Sequence, residues 1–142
     1  MIKIFSNSEE MAIIEAIQRA ESRTTSEIRV HIDQVSDLPV LDVAWKVFEA
    51  LSMDGTKNRN AALILILPQR KEFAIIGDKG LNAVVEPSFW QHLSALMSEH
   101  FIKNRYSEGV IKVIQAFEEV LHENFPLTSE QINELPDEIS YS

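Results

Sequence analysis

Two polar loops flank a short apolar run, and their side chains are of types that bind cations or phosphates. In residues 54–60 an oxygen-bearing side chain occupies every second position, at Asp54, Thr56, Asn58 and Asn60. Residues 77–80 read Gly-Asp-Lys-Gly, so Asp78 lies in a loop whose glycines permit a tight backbone path. Carboxylate and amide oxygens are the ligands that hard cations prefer. The two loops therefore suggest a site for a hard cation or a phosphate.

The first loop is not an EF-hand. Arg59 stands where an EF-hand has its sharp-turn glycine, and Leu65 stands where it has its bidentate glutamate. A strand is also predicted to follow, where an EF-hand has a helix. The alternative interpretation is a solvated loop in which Gly55 and the asparagines provide turn geometry. The second loop is equally compatible with a simple bend after a strand.

Strand direction is what would bring the two loops together. Residues 27–33 alternate apolar and polar, residues 61–67 are apolar throughout, and residues 72–76 follow a short turn. A helical crossover makes the first two strands parallel, and the short turn makes the third antiparallel to the second. Three polar segments are then expected at one end of the sheet: residues 24–27, 54–60 and 77–80.

Each candidate residue at this end has a chemical role. Asp78 and Glu27 offer carboxylate ligands for a metal ion, and the topology adds Asp54 as a third. Asn60 offers an amide that orients a ligand or donates a hydrogen bond. Arg59 is the candidate for binding a substrate anion, although it could equally lock nearby carboxylates in bidentate ion pairs. For Glu27 the alternative is a solvent-side strand residue.

The opposite end of the sheet is the main competitor for a site. Asp33, Asp37 and residues 68–71 are expected to lie there. In fully parallel sheets, ligands bind beyond the carboxyl ends of the strands, which would favour this end. That rule weakens in a mixed sheet, and residues 68–71 are typical of a plain turn. We therefore favour the first end.

Helical periodicity predicts four long helices around the sheet. The first starts at Asn7 or Ser8, with Asn7 and Glu10 as a capping pair, and the last is capped by Ser107. Two helices on each face of a small mixed sheet give an α/β fold, a three-layer α/β/α sandwich. The domain spans residues 1–125, and residues 126–142 form an acidic tail packed on it. Met1–Phe5 is expected to form either an edge strand or a simple lead-in to the first helix. Thr128–Glu134 is expected to form a short helix.

Composition narrows the class of protein. The 142 residues, 45% of them hydrophobic, are enough for one domain with a proper core. The net charge of −9 disfavours nonspecific binding to nucleic acid. No apolar stretch is long enough to span a membrane, so we expect a soluble, cytoplasmic protein, and the lack of heptads favours a monomer. The chain has no cysteine, and its four histidines lack zinc spacing and are expected on the surface or on helix faces. Four aromatic residues are expected in the core: Trp45, Phe89, Trp90 and Phe101.

At these same residues the chain resembles the TPM domain family. The matching segments are Thr25–Val30, Arg59–Ile64, Phe73–Gly80, Phe89-Trp90, Tyr106-x-x-Gly109 and Asn133–Ile139. The likeness covers nearly the whole chain and is greatest to stand-alone bacterial members. It implies an α/β/α sandwich, binding of Ca²⁺ or another divalent cation at the sheet-end loops, and a proposed acid phosphatase activity. Glu27, Asn60 and Asp78 fall on the motif positions.

Two functional hypotheses follow, from different classes of protein. In the first, carboxylates hold Ca²⁺ or Mg²⁺, which polarises a phosphate ester for hydrolysis. In the second, the domain is a non-catalytic interaction module whose loops a divalent cation orders so that a partner protein can dock. The absence of a recognisable nucleophile motif favours the second slightly. A structural domain without a site is the third alternative.

Overall fold

The computed structural model describes residues 3–34, 36–127 and 139–141. The helices are α1 (Asn7–Glu21), α2 (Val40–Ala50), α3 (Lys79–Asn82), α4 (Pro87–Ile102) and α5 (Tyr106–Asn124). The strands are β1 (Ile28–Ile32), β2 (Ala62–Leu67), β3 (Glu72–Gly77) and β4 (Ser140–Tyr141). Short 3₁₀ turns cover Met53–Gly55 and Pro68–Arg70. The predicted helix over residues 128–134 lies outside the described residues.

The four strands form one mixed sheet in the order β3-β2-β1-β4. β1 runs parallel to β2, and β3 runs antiparallel to β2, as the crossover and the short turn predicted. The all-apolar β2 lies inside the sheet and all six of its residues are buried, because helices cover both of its faces.

The helices are distributed unevenly over the two faces. One hydrophobic cluster joins Ile28, Val30 and Ile32 of β1 to side chains from α1, α4 and α5. The other cluster joins the opposite face of β2 and β3 to α2. The three-layer α/β/α sandwich is confirmed. The prediction of two helices on each face is wrong, since the described residues place three long helices on one side of the sheet and one on the other.

The C-terminal strand β4 explains why β1 is not half-exposed, as its alternating pattern predicted. All five residues of β1 are buried. β4 pairs in parallel with β1 at its outer edge. There, Ser140 Oγ accepts a hydrogen bond from Arg29 Nε at 3.2 Å and lies 2.6 Å from His31 Nδ1. A surface position is therefore wrong for His31, and its burial lowers the pKa of the imidazole. In the N-terminal segment, residues 3–5 form no strand and lead into α1.

Helix α1 begins at Asn7, one of the two predicted starts, but its capping box lies one residue before the predicted capping pair. Ser6 Oγ accepts a hydrogen bond from the Glu9 amide at 3.1 Å, and the Ser6 amide donates to Glu9 Oε1 at 2.8 Å. The predicted pair of Asn7 and Glu10 is wrong, because Asn7 Oδ1 instead accepts from Lys3 Nζ on the surface. Both registers place a good cap three residues before a glutamate, so local pattern does not separate them. Ser107 likewise is no cap for α5, which begins at Tyr106 without a side-chain cap.

The two candidate caps give a direct test. We expect Ser6→Ala to lower the free energy of unfolding by about 1 kcal/mol, since it leaves an end amide of α1 without its acceptor. Asn7→Ala removes only an exposed hydrogen bond and should change stability by less than about 0.5 kcal/mol. Urea denaturation of both variants measures the difference. An equal loss in the two would show that Ser6 does not cap the helix.

Three of the four aromatic residues predicted in the core pack against it, and the fourth does not. Phe89, Trp90 and Phe101 pack against the larger cluster, whereas Trp45 of α2 is 43% exposed and touches Phe48 edge-on. The prediction that Trp45 lies in the core is thus wrong, because only one face of α2 packs against the sheet. None of the helices in the described ranges combines the length and the apolar content needed to cross a bilayer.

Candidate functional site

The three predicted loops meet at one end of the sheet. In the strand register, Ile28 of β1 lies beside Ala62 of β2, which lies beside Gly77 of β3. The residues next to these continue the pairing, because the Ala62 amide donates to Glu27 O at 2.9 Å and the Asp78 amide donates to Ala61 O at 3.0 Å. The expectation that the start of β1, the start of β2 and the end of β3 converge is confirmed.

Glu27 and Asp78 lie in the same cross-strand row, on either side of Ala61. Ile28 and Ala62 face the α1, α4 and α5 layer, and side chains alternate along a strand, so this row faces the α2 layer. Ala61 itself belongs to the cluster beneath α2. Both carboxylates are buried, with Glu27 2% and Asp78 4% exposed. Two strand spacings separate their backbones by about 10 Å, with Ala61 between them in the register.

Arg59 closes over Asp78 in a bidentate ion pair. Its Nε donates to Asp78 Oδ2 at 2.6 Å and its Nη2 donates to Oδ1 at 3.2 Å. Asp78 also caps α3, accepting the Lys79 amide at 2.8 Å. These hydrogen bonds from Arg59, with a smaller contribution from the charge of Asp54, raise the pKa of the guanidinium. Arg59 thus takes the locking role that was left open, while its side chain stays 38% exposed.

The backbone of Arg59 is left-handed, with φ of 49°. An EF-hand has glycine at the matching loop position because such a conformation suits glycine, so here a bulky residue adopts a strained turn. A contact from the neighbouring loop accompanies this turn, since the Gly80 amide donates to Arg59 O at 2.7 Å. Gly80 therefore allows the two loops to approach each other closely.

Asn60 is the most deeply buried of the candidate ligands, with no exposed surface. Its Nδ2 donates to Thr25 Oγ1 at 3.2 Å, and the same hydroxyl accepts Asn58 Nδ2 at 2.9 Å. The Oδ1 of Asn60 is buried and accepts no hydrogen bond from the described residues, and the same holds for Thr56 Oγ1. A buried oxygen without a donor is costly, so these two atoms are suited to an additional partner.

Asp54 differs from the other candidates in its exposure. It lies in the 3₁₀ turn Met53–Gly55, on the surface, and acts on Arg59 through its charge. Across residues 3–34, 36–127 and 139–141, no three His, Asp or Glu side chains are grouped closely enough to hold a metal ion. A cation at this end would therefore need neutral oxygens alongside the carboxylates.

One residue that shapes this end was missed from sequence. Glu21, the last residue of α1, is buried and accepts the Ile28 amide at 2.7 Å through Oε2. It thereby fixes the start of β1 directly after Glu27. The signal was present, because Glu21 continues the buried stripe of Ile13, Ile17 and Ala20, where an acidic residue is unexpected.

Comparison with known proteins identifies the family. The family model described as the TPM domain matches residues 2–120. The chain belongs to the TPM domain family. This TPM domain is similar to the BA42 protein from the psychrophilic bacterium Bizionia argentinensis, solved by NMR, at 37% identity and a TM-score of 0.92. The match covers 100% of this chain and 98% of that one.

More distant structures share the fold of this TPM domain. The N-terminal domain of a protein from P. gingivalis is 22% identical with a TM-score of 0.68, over 86% of this chain and 79% of that one. The N-terminal domain of the cg2496 protein from Corynebacterium glutamicum is 10% identical with a TM-score of 0.61, over 92% and 81%. No curated protein matches the chain.

Proposed function

We propose that this TPM domain binds a divalent cation, Ca²⁺ or Mg²⁺, beside Ala61 at the converging end of the sheet. The observation that carries the proposal is the pair of buried carboxylates of Glu27 and Asp78 in one cross-strand row. Carboxylates are the ligands that hard cations prefer, and a bound cation would take over from Arg59 the compensation of the buried Asp78 charge.

The available donors suit a hard cation in kind. Glu27 and Asp78 supply carboxylate oxygens, and Asn60 supplies an amide oxygen that accepts no hydrogen bond from the described residues. Ca²⁺ takes six to eight oxygens, typically including neutral carbonyls and water, and Mg²⁺ also keeps several waters. Neutral donors complete such a shell where carboxylates are few. Asp54, on the surface nearby, adds attraction for a cation that approaches from solvent.

Arg59 is the residue that a cation must displace. The guanidinium occupies both oxygens of Asp78, so a ligand cation and Arg59 compete for the same carboxylate. Since Arg59 is partly exposed, its long side chain can swing outward without disturbing the core. Once released, its planar donors match a phosphate bidentately.

A phosphatase reaction would use the same groups. A bound divalent cation supplies Lewis-acid polarisation of a phosphoryl oxygen. Arg59, freed from Asp78, would bind the remaining phosphoryl oxygens and orient the ester. Glu27 and Asp78 would keep their carboxylates fixed through their positions at the ends of β1 and β3.

Calorimetric titration tests the cation site. Wild type should give saturable heat with Ca²⁺ or Mg²⁺, and Asp78→Asn should weaken binding at least tenfold, because a carboxylate ligand is lost. Arg59→Gln should strengthen binding by roughly two- to fivefold, since it removes the competing ion pair. Asp42→Asn, at an exposed position of α2, is the charge-matched control and should bind as wild type does.

The distinguishing result is that cation affinity falls in Asp78→Asn and rises in Arg59→Gln. Circular dichroism melts verify that each variant is folded. Equal heats in wild type and Asp78→Asn, with both folded, would eliminate the site. Assays of hydrolysis on a panel of phosphomonoesters, with the metal present, then distinguish an enzyme from an interaction module. Turnover that is lost in Glu27→Gln and Asp78→Asn supports an enzyme, and cation binding without turnover supports an interaction module with metal-ordered loops.

A further inference from the structure

A cleft of about 660 Å³ opens at the other end of the sheet, away from the proposed cation site. It is lined by the end of β2, the start of β3, the last turns of α4, the start of α5 and Ile4. This volume is within the usual range for sites that hold a small organic ligand. We call it the Lys71 cleft.

The walls of the Lys71 cleft are mainly apolar and aromatic. Phe73 and Tyr106 both pack edge-on against Phe101, with ring centroids 5.4 and 5.0 Å apart. At the rim, Ile102 is 82% exposed, so the apolar wall continues out to the surface. An aliphatic or aryl group in the cleft would bury this wall, at a gain of about 25 cal/mol for each Å² of apolar surface removed from water.

The charge of the cleft is positive, although the chain as a whole carries −9. Of the residues that the structure describes, two charged ones line it, Lys71 and Glu72. Arg70 neutralises Glu72, with its Nε and Nη2 each 2.6 Å from Oε1. Lys71 is exposed and makes no ion pair with the described residues. Its left-handed backbone, with φ of 54°, forms the turn that leads into β3. One uncompensated ammonium therefore stands at the edge of an apolar cleft.

We propose that the Lys71 cleft binds an amphipathic monocarboxylate, with its hydrocarbon body against Phe73, Phe101 and Ile102 and its carboxylate on Lys71 Nζ. A single ammonium matches a single negative charge. The Tyr106 hydroxyl, which donates to Asn104 Oδ1 at 2.8 Å, adds polar character to the rim. The proposal is independent of the cation site, which lies at the opposite ends of the same strands.

A titration with straight-chain acids tests both halves of the recognition. Hexanoate, octanoate and decanoate are added to ¹⁵N-labelled protein, and amide shifts are followed by NMR. We expect saturable shifts in residues 71–73 and 101–106, with affinity rising about threefold for each added methylene that is buried. Decyltrimethylammonium, with the same body and the opposite charge, should bind at least tenfold more weakly than decanoate.

Variants at exposed positions keep the test independent of folding. Lys71→Met retains the apolar stem and should weaken decanoate about three- to tenfold, and Ile102→Ser should weaken it about two- to fivefold. Lys46→Met, at an exposed position of α2, is the matched control and should leave affinity unchanged. Three outcomes would overturn the proposal: no saturable shifts with decanoate, equal affinity for the cationic amphiphile, or unchanged affinity in Lys71→Met.

Discussion

Gly80→Ala is expected to lower the free energy of unfolding by about 3 kcal/mol, among the largest effects of a single methyl group in this chain. A Cβ at this position would lie 2.1 Å from Asn58 O and 2.7 Å from Arg59 O. Both obstacles are backbone atoms, so no side-chain rotation relieves the clash. The loop of residues 54–60 would have to move away from α3, which breaks the hydrogen bond from the Gly80 amide to Arg59 O.

Gly55→Ala is the matched control for this substitution. Gly55 lies in the same pair of loops, but a Cβ there would meet nothing within 4 Å, and its φ is not positive. Alanine should therefore be neutral or raise stability by up to about 1 kcal/mol, because it restricts the unfolded chain. Thermal melts of both variants measure the contrast. If Gly80→Ala were as stable as Gly55→Ala, the close approach of the two loops would be refuted.

The position of the candidate site was predictable because it depends on strand direction alone. The short turn after Leu67 and the crossover before Ala61 dictate which strand ends share an edge, and both are visible in the local pattern. The contacts within the site were not predictable to the same degree. The Arg59–Asp78 pair is made by an arginine with a left-handed backbone, a conformation that no sequence pattern assigns to an arginine.

Non-local pairing accounts for the main errors in the fold. His31 was expected on the surface because its strand alternates, yet it contacts Ser140, which is 109 residues away in the chain. A two-residue strand such as β4 has no periodicity to detect. The helix stripes predicted which elements pack on the sheet but not on which side, since α4 and α5 pack on the same face as α1. Stripes report amphipathicity and carry no information about the partner surface.

Glu21→Ala is expected to lower the free energy of unfolding by about 3 kcal/mol, because it removes a buried, charge-assisted acceptor. In the peptide between Glu27 and Ile28, the carbonyl points toward β2, where it accepts the Ala62 amide. The Ile28 amide of the same peptide points to the outer edge of β1, and β4 reaches only His31 and Ile32. The Glu21 carboxylate meets that amide at 2.7 Å, so its loss leaves a buried donor without this acceptor.

Glu21→Gln separates the hydrogen bond from the charge. Glutamine keeps a side-chain oxygen at nearly the same reach and should cost only about 1 kcal/mol. Amide hydrogen exchange gives the local measurement, since Ile28 should exchange faster in Glu21→Ala than in Glu21→Gln even after correction for their difference in global stability. Equal destabilisation by the two variants would mean that the carboxylate charge, rather than the acceptor for Ile28, matters at this position. If the hydrogen bond does dominate, cation affinity should also fall in Glu21→Ala, because the start of β1 carries Glu27 into the row with Asp78.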